Sequence, residues 1–191
     1  MAESPAKGPQ SAAKGSEGVE VVFAAEEIAE RIHGIAQVIA DTGMDRLLVI
    51  AVLKGSFVFA ADLLRAMHGA GLSPEIDFLS LASYREGTRS SGHVEIVRDI
   101  ETDVGGRNVL IIDDILESGR TLAFAKQLIA ERGAARVLTC VLLDKAVDRA
   151  VAIQADFSVF ECPDEFVVGY GMDLAHRFRE LPFVGRVVRD R

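Results

Sequence analysis

The 191-residue chain has no tryptophan, two tyrosines, five prolines and two cysteines. Cys140 and Cys162 both sit in apolar surroundings, which excludes a disulfide framework or a cysteine-based metal site; they are expected to be reduced core thiols. Long hydrophobic runs are also missing. The longest candidate, Leu47–Leu53, stops at Lys54, far short of the ~18–20 apolar residues of a membrane-spanning helix, so no membrane partner is expected. Basic excess is absent too: 21 Lys and Arg stand against 29 Asp and Glu, a formal charge of −8. That balance disfavours a general grip on nucleic acid through a basic surface. Met1–Gly18 lacks the apolar centre of a signal peptide, so a cytoplasmic location is expected. Neither G-x-x-x-x-G-K-[ST] nor G-x-G-x-x-G occurs, which argues against a P-loop NTPase and a dinucleotide-binding dehydrogenase.

What is present suits one domain. Hydrophobic residues make up 49% and charged residues 26%, enough to bury a core and remain soluble. Residues 1–18 are rich in Ala, Gly, Ser, Pro and Lys without periodicity and are expected to be a disordered tail, with the domain over 19–191. Val21–Phe23 suits a short strand. Ala24–Thr42 has helical spacing, with Ile28, Ile32, Ile35, Val38 and Ile39 on one face. From residue 46, strands and helices alternate. Leu47–Leu53, Ile76–Leu81, Val109–Ile112, Val137–Leu143 and Phe157–Phe160 suit strands, several as continuous apolar runs covered on both faces. Ser56–Met67 suits a helix with Ser56 as its N-cap, and Arg120–Arg132 a helix ended by Gly133. Tyr84–Gly92 is polar and Gly-punctuated, hence expected to be a loop, with a strand over His93–Val97. The alternation predicts an α/β fold with a mostly parallel, doubly wound sheet, whose ligands sit beyond the carboxyl ends of the strands.

Val109–Thr121 (VLIIDDILESGRT) concentrates the chemistry. A buried strand leads to Asp113 and Asp114, then to a short turn with Ser118, Gly119 and Thr121 that opens a helix. Successive N–H groups at a helix N-terminus attract an anion, Gly119 permits close approach, and the two hydroxyls add donors for phosphate oxygens. Asp113 and Asp114 would repel a phosphate; they suit sugar hydroxyls or Mg²⁺. The plainer alternative is an ordinary strand-to-helix turn.

This stretch resembles the phosphoribosyl-pyrophosphate (PRPP) motif of type I phosphoribosyltransferases, and other segments narrow the resemblance to the hypoxanthine-guanine phosphoribosyltransferase family. They are Leu53–Ser56, Ser83–Tyr84, Leu142–Lys145 and Pro163–Asp173, in family order over roughly residues 20–188. The resemblance implies the type I phosphoribosyltransferase fold, a flexible lid loop, a small hood subdomain, and purine salvage. The implied reaction transfers the phosphoribosyl group from PRPP to N9 of hypoxanthine, and of guanine, giving IMP or GMP and pyrophosphate with Mg²⁺ as cofactor. It implies pyrophosphate binding at Lys54 and Gly55, with a Leu53–Lys54 peptide that can be cis. Ser83 and Tyr84 head the lid, and Ser118, Gly119, Arg120 and Thr121 hold the 5-phosphate. Lys145 contacts purine O6, Phe166 stacks on the base and Val167 meets its edge through the backbone. Asp113, Asp114 and Asp173 are the implied Mg²⁺ and substrate residues, and Arg179 a phosphate clamp. Glu117 stands where the family most often has Asp, as the acid/base at N7. A homodimer or homotetramer is implied as well.

Each carried-over role has a plainer counterpart. Lys145 could be a surface lysine paired with Asp144 or Asp148, Phe166 a core residue, and Arg177 and Arg179 an ordinary charged surface. His33, His68, His93 and His176 show no metal-ligand spacing. Two rival functions share the fold: a phosphoribosyltransferase for xanthine, adenine or a pyrimidine, and an RNA-binding pyrimidine-operon regulator, which the net charge disfavours.

Overall fold

The computed structural model describes residues 17–86 and 89–189. A six-stranded sheet runs through it, formed by β2 (Leu48–Leu53), β3 (Glu75–Glu86), β4 (Arg89–Arg98), β5 (Asn108–Leu116), β6 (Arg136–Lys145) and β7 (Phe157–Cys162), in the order β4-β3-β2-β5-β6-β7. All neighbours are parallel except β3 and β4. The strands are covered on both faces, so nearly every residue of β2 and β5 is buried. Alternation divides them cleanly. Val49, Ala51, Leu110 and Ile112 pack toward α1 (Ala25–Asp41) and α2 (Phe57–Gly69). Leu48, Ile50, Val109 and Ile111 pack toward α3 (Arg120–Glu131) through Leu122, Ala125 and Ile129. Helices on both faces of a mainly parallel sheet make the doubly wound arrangement expected from the sequence.

A second, three-stranded antiparallel sheet, β1 (Glu17–Phe23), β9 (Val184–Arg189) and β8 (Val167–Val168), forms a hood over one end. Val167 and Val184 from it, with Tyr170 and Met172 from the connection between β8 and β9, join the α1/α2 side of the core. Cys140 and Cys162 are buried and unbridged, and burial raises both thiols above their usual range. Among the described residues, no helix is long and apolar enough to cross a membrane.

Four local expectations change. The strand at the start of the hood begins at Glu17, which pairs with Arg189, rather than at Val21; of the tail expected over residues 1–18, residues 1–16 lie outside the described residues. Tyr84–Gly92 is not a loop throughout. Strand β3 continues to Glu86 and β4 starts at Arg89, with Arg85 opposite Ser90. A two-stranded ribbon at a sheet edge needs no apolar face, so polar composition did not preclude it. Ser56 occupies the N-cap position with helical angles and makes no capping bond; its buried hydroxyl instead donates to the Val52 carbonyl at 2.6 Å. Strand β5 runs past both aspartates to Leu116, with Ile115 and Leu116 opposite Leu143 and Asp144 on β6.

Candidate active site

The parallel strands β2, β5 and β6 end at the same edge of the sheet, and the chemistry-bearing residues stand there. After β5 the chain turns through Glu117 and Ser118 into Gly119, whose φ of +78° is natural for glycine and strained for other residues. Gly119 is the N-cap of α3 and has no side chain with which to cap it. The start of α3 borders a hollow of about 150 Å³ lined by Asp113, Glu117, Ser118, Gly119 and Thr121. The N–H groups of a helix start and the positive end of the helix dipole favour an anion there. Arg120 opens the helix, its N–H 3.4 Å from the Ser118 hydroxyl.

A second cleft, of about 390 Å³, lies beside this turn and is lined by Lys54, Gly55, Asp114, Asp173 and Arg179, with Leu53 and the β3 residues Ser80–Ala82. The Leu53–Lys54 peptide is cis, as the resemblance implies. Gly55 is required by close approach: a Cβ there would stand 1.7 Å from Asp114 Oδ2, and the Gly55 carbonyl meets Gly171 of the hood. Arg179 donates to the Gly171 carbonyl at 2.6 Å and pairs with Asp173 at 2.5 Å, while the other Asp173 oxygen accepts the His176 N–H at 2.7 Å. Arg179 is therefore a held cation rather than ordinary charged surface.

The three carboxylates expected to share a metal do not form one cluster, and no group of three or more metal-ligating side chains occurs among the described residues. Strand alternation explains it. Asp114 and Asp173 line the cleft, whereas Asp113 is buried beside the turn, with Oδ1 accepting the Asp114 N–H at 3.0 Å. Burial raises the Asp113 carboxyl well above its usual range, aided by the charge of Asp114 and the hydrogen bond between their carboxyls. Burial also raises Asp114, against the pull of its own hydrogen bonds and of Arg179.

Lys145 ends β6 and is only 6% exposed, although it is a lysine. Its ammonium pairs with Glu117 Oε1 at 2.8 Å, with Asp164 at 3.9 Å, and not with Asp144 or Asp148. Asp144 is instead engaged by Arg149. Phe166 is 60% exposed, so it is no core residue, and the adjacent Val167 is buried in β8 opposite Arg186. The structure thus brings together Lys54, Gly55, Asp114, Asp173 and Arg179 in one cleft, and pairs Lys145 with Glu117 at the head of the Ser118–Thr121 turn. The side chains of Ser83, Tyr84 and His93 lie outside the described residues. Two residues without an expected role emerge: Asp164, inside a quoted segment, and Arg149, which carries no local motif.

A parallel sheet with an acid-rich strand end and a helix turn led by glycine defines a class, and residues 18–174 match the family described as the phosphoribosyl transferase domain. Hypoxanthine phosphoribosyltransferase of Escherichia coli (strain K12) is 40% identical over 174 residues, 89% of this chain and 96% of the relative. A crystal structure of hypoxanthine phosphoribosyltransferase from Staphylococcus aureus superposes with a TM-score of 0.83 at 34% identity, covering 88% of this chain and 91% of that one. The Trypanosoma cruzi hypoxanthine phosphoribosyltransferase, in complex with the product IMP, does so with 0.81 at 35%, covering 94% and 98%. The chain belongs to the phosphoribosyl transferase domain family, in its hypoxanthine phosphoribosyltransferase branch.

Proposed function

We propose that this chain salvages purines: it transfers the 5-phosphoribosyl group of PRPP to N9 of hypoxanthine, and of guanine, releasing IMP or GMP and pyrophosphate. The observation that carries this reading is the 2.8 Å pair of Lys145 and Glu117 at the head of the Ser118–Thr121 turn. Purine O6 and N7 are neighbours on one edge of the base. A donor and a carboxylate in contact can serve that edge together, Lys145 donating to O6 and Glu117 accepting the N7 proton. Adenine, with an amino group at position 6, would meet a donor with a donor. Phe166 offers its exposed face for stacking, and the backbone of the adjacent Val167 would meet the base edge.

On the other side, Ser118, Gly119, Arg120 and Thr121 hold the 5-phosphate through N–H groups and hydroxyls. Lys54, the Gly55 backbone and Arg179 take the pyrophosphate, whose charge grows as the C1–O bond breaks. Fixed cations aimed at that charge stabilise an oxocarbenium-like transition state. N9 attacks C1 while Glu117 removes the N7 proton. Asp113 and Asp114 suit the ribose hydroxyls, and the β3–β4 ribbon headed by Ser83 and Tyr84 serves as the lid that excludes water.

Oxygen donors and a phosphate-bearing substrate suit Mg²⁺, which takes one or two carboxylates and completes its shell with substrate oxygens and water. Asp114 and Asp173 fit that role in the cleft, whereas the buried Asp113 does not. When bound, the ion would neutralise pyrophosphate charge. For assembly we infer a homodimer or homotetramer. Sedimentation of the purified chain checks it.

The decisive measurement is turnover of hypoxanthine, guanine, xanthine, adenine and uracil with Mg²⁺ and PRPP, by wild type and by Glu117→Gln. Only the 6-oxopurines should react, and Glu117→Gln should lose at least ~10²-fold in kcat with PRPP binding nearly unchanged, the size of a positioned acid/base. Glu117→Asp should retain substantial activity. Adenine turned over as fast as hypoxanthine would sink the reading of Lys145, and Glu117→Gln within about five-fold of wild type would remove the acid/base role.

A further inference from the structure

Apart from the residues assigned above, one poorly exposed cation lies close to both halves of the site. Arg149, in the connection between β6 and β7, has a side chain only 17% exposed. Taking a guanidinium out of water costs several kcal/mol unless its N–H groups find acceptors. Arg149 spends its two terminal nitrogens on two places, while its buried Nε finds no acceptor among the described residues. Nη2 engages the Asp144 carboxylate and donates to the Lys145 carbonyl at 3.3 Å, at the end of β6. Nη1 donates to the Ile153 carbonyl at 2.7 Å, at the far side of the connection. The planar fork thus ties the two ends of one loop together, which a flexible ammonium could not do in the same geometry.

Both tied ends lead to the site. The Lys145 carbonyl also accepts the Val147 N–H at 3.0 Å, and the Ala146 N–H is fixed to the Cys162 carbonyl at 3.0 Å. The backbone from which the lysine reaches toward Glu117 is therefore held from several directions. At the other end, the Val151 N–H donates to the Ser118 carbonyl at 3.1 Å. The Val151 carbonyl and Ile153 Cγ2 press on Gly119, 2.4 and 2.9 Å from where a Cβ would stand. Val151 and Ile153 are the wall behind the phosphate turn.

We propose that Arg149 is a positioning residue that sets the base-reading lysine and the phosphate turn at a fixed spacing. It works through the Lys145 carbonyl and Asp144 on one side, and through Ile153 and Val151 on the other, without touching either substrate. The proposal rests on the reading of Lys145 and of the Ser118–Thr121 turn given above. The spacing matters because the purine must reach C1 of a ribose whose 5-phosphate is held in the turn. A displacement of about 1 Å between two such anchors is enough to cost ~10²-fold.

The test is steady-state kinetics, with KM for hypoxanthine and for PRPP measured separately, on Arg149→Gln, Arg149→Lys, Asp144→Asn and Lys145→Met. Thermal melting and circular dichroism report folding. Arg149→Gln should raise both KM values by about ten-fold or more and lower kcat, within the range of a misplaced anchor. Arg149→Lys, which keeps the charge without the fork, should fall between it and wild type. Asp144→Asn leaves the Ile153 bond in place and should raise KM for hypoxanthine more than KM for PRPP. A purely structural role predicts a lowered melting temperature with both KM values within two-fold of wild type in folded Arg149→Lys, and that result overturns the proposal. Lys145→Met separates the two layers. If it raises KM for hypoxanthine while the Arg149 variants do not, the positioning role alone fails. If neither does, the reading of the base site fails, and the positioning role with it.

Discussion

The turn between β5 and α3 is shaped by backbone, whereas the hood from β8 to β9 is shaped by side chains and by uncommon backbone angles. In the turn, a buried strand, one glycine in the left-handed region and a helix start make the hollow in which we place the 5-phosphate. In the hood, Tyr170, Ala175, His176 and Phe178 all have positive φ, between 49° and 77°. Non-glycine residues adopt such angles at a cost of order 1 kcal/mol or more and keep them only where the surroundings enforce it. Here the enforcement is visible: Tyr170 and Gly171 N–H groups donate to the Leu181 and Arg179 carbonyls at 2.9 and 3.0 Å, and Arg179 returns to the Gly171 carbonyl. Arg186 adds a tether from β9 to Glu20 and Glu165. The lesson is that a binding surface made of N–H groups tolerates side-chain change but not backbone change, whereas the hood depends on both, since a Cβ at Gly169 or Gly171 would stand 2.2 Å from a backbone carbonyl.

The largest effect should come from breaking the backbone half. Gly119→Ala needs a left-handed alanine whose Cβ would meet the Val151 carbonyl at 2.4 Å, so strain and overpacking should together cost roughly 1–3 kcal/mol of stability. KM for PRPP should rise at least ten-fold, because the N–H groups move with the turn, while Ser118→Ala should cost far less. Melting curves and PRPP kinetics on the two variants check it. Equal losses would mean that the hydroxyl, not the backbone, holds the phosphate.

The same contrast explains what was legible in the sequence. Apolar runs such as Leu48–Leu53 and Val109–Ile112 announce buried parallel strands because both faces are covered, and Gly119 and Gly133 punctuate α3 at both ends. The hood announces little. Strand β8 is two residues long, and Ala175, His176 and Phe178 give no hint that their backbone turns left-handed. Its site residues, Phe166, Val167, Asp173 and Arg179, were reachable only through family resemblance. Pairings across the chain were equally hidden: nothing local says that Lys145 meets Glu117, 28 residues away, or that Asp144 is taken by Arg149. What the sequence also hid is that Asp113 and Asp114, adjacent on β5, line different hollows.

Phe166 sharpens the comparison from the hood side. Its ring is 60% exposed, so Phe166→Ala should change stability by no more than about 0.5 kcal/mol. Stacking of a base on an aromatic ring is worth ~1–3 kcal/mol, so KM for hypoxanthine should rise roughly 5- to 150-fold with KM for PRPP unchanged. A variant that loses stability instead, with its base affinity intact, would make the ring part of the hood's packing.

The smallest effect should appear in stability against pH, and it probes the strand that feeds the turn. Burial first, then the Asp114 charge and the hydrogen bond between the two carboxyls, hold the Asp113 carboxyl well above its usual range. The folded chain therefore keeps a proton that the unfolded chain releases near pH ~3.9. Above that value the folded state binds more protons than the unfolded one, so stability falls as pH rises. The contribution of Asp113 is thus complete below the unfolded value and lost as pH climbs through the raised folded one. Asp113→Asn keeps an Oδ1 for the Asp114 N–H and has no proton to lose. In EDTA, to keep cations from the neighbouring cleft, the variant should melt higher than wild type at pH 7, and the gap should close toward pH 4. For a chain of this length each 1 kcal/mol shifts the midpoint by roughly 2–4 °C, so a calorimeter resolves it. Parallel melting temperatures from pH 4 to pH 8 would show that the Asp113 carboxyl costs the folded state nothing, and that the strand end is as tolerant of charge as the open cleft beside it.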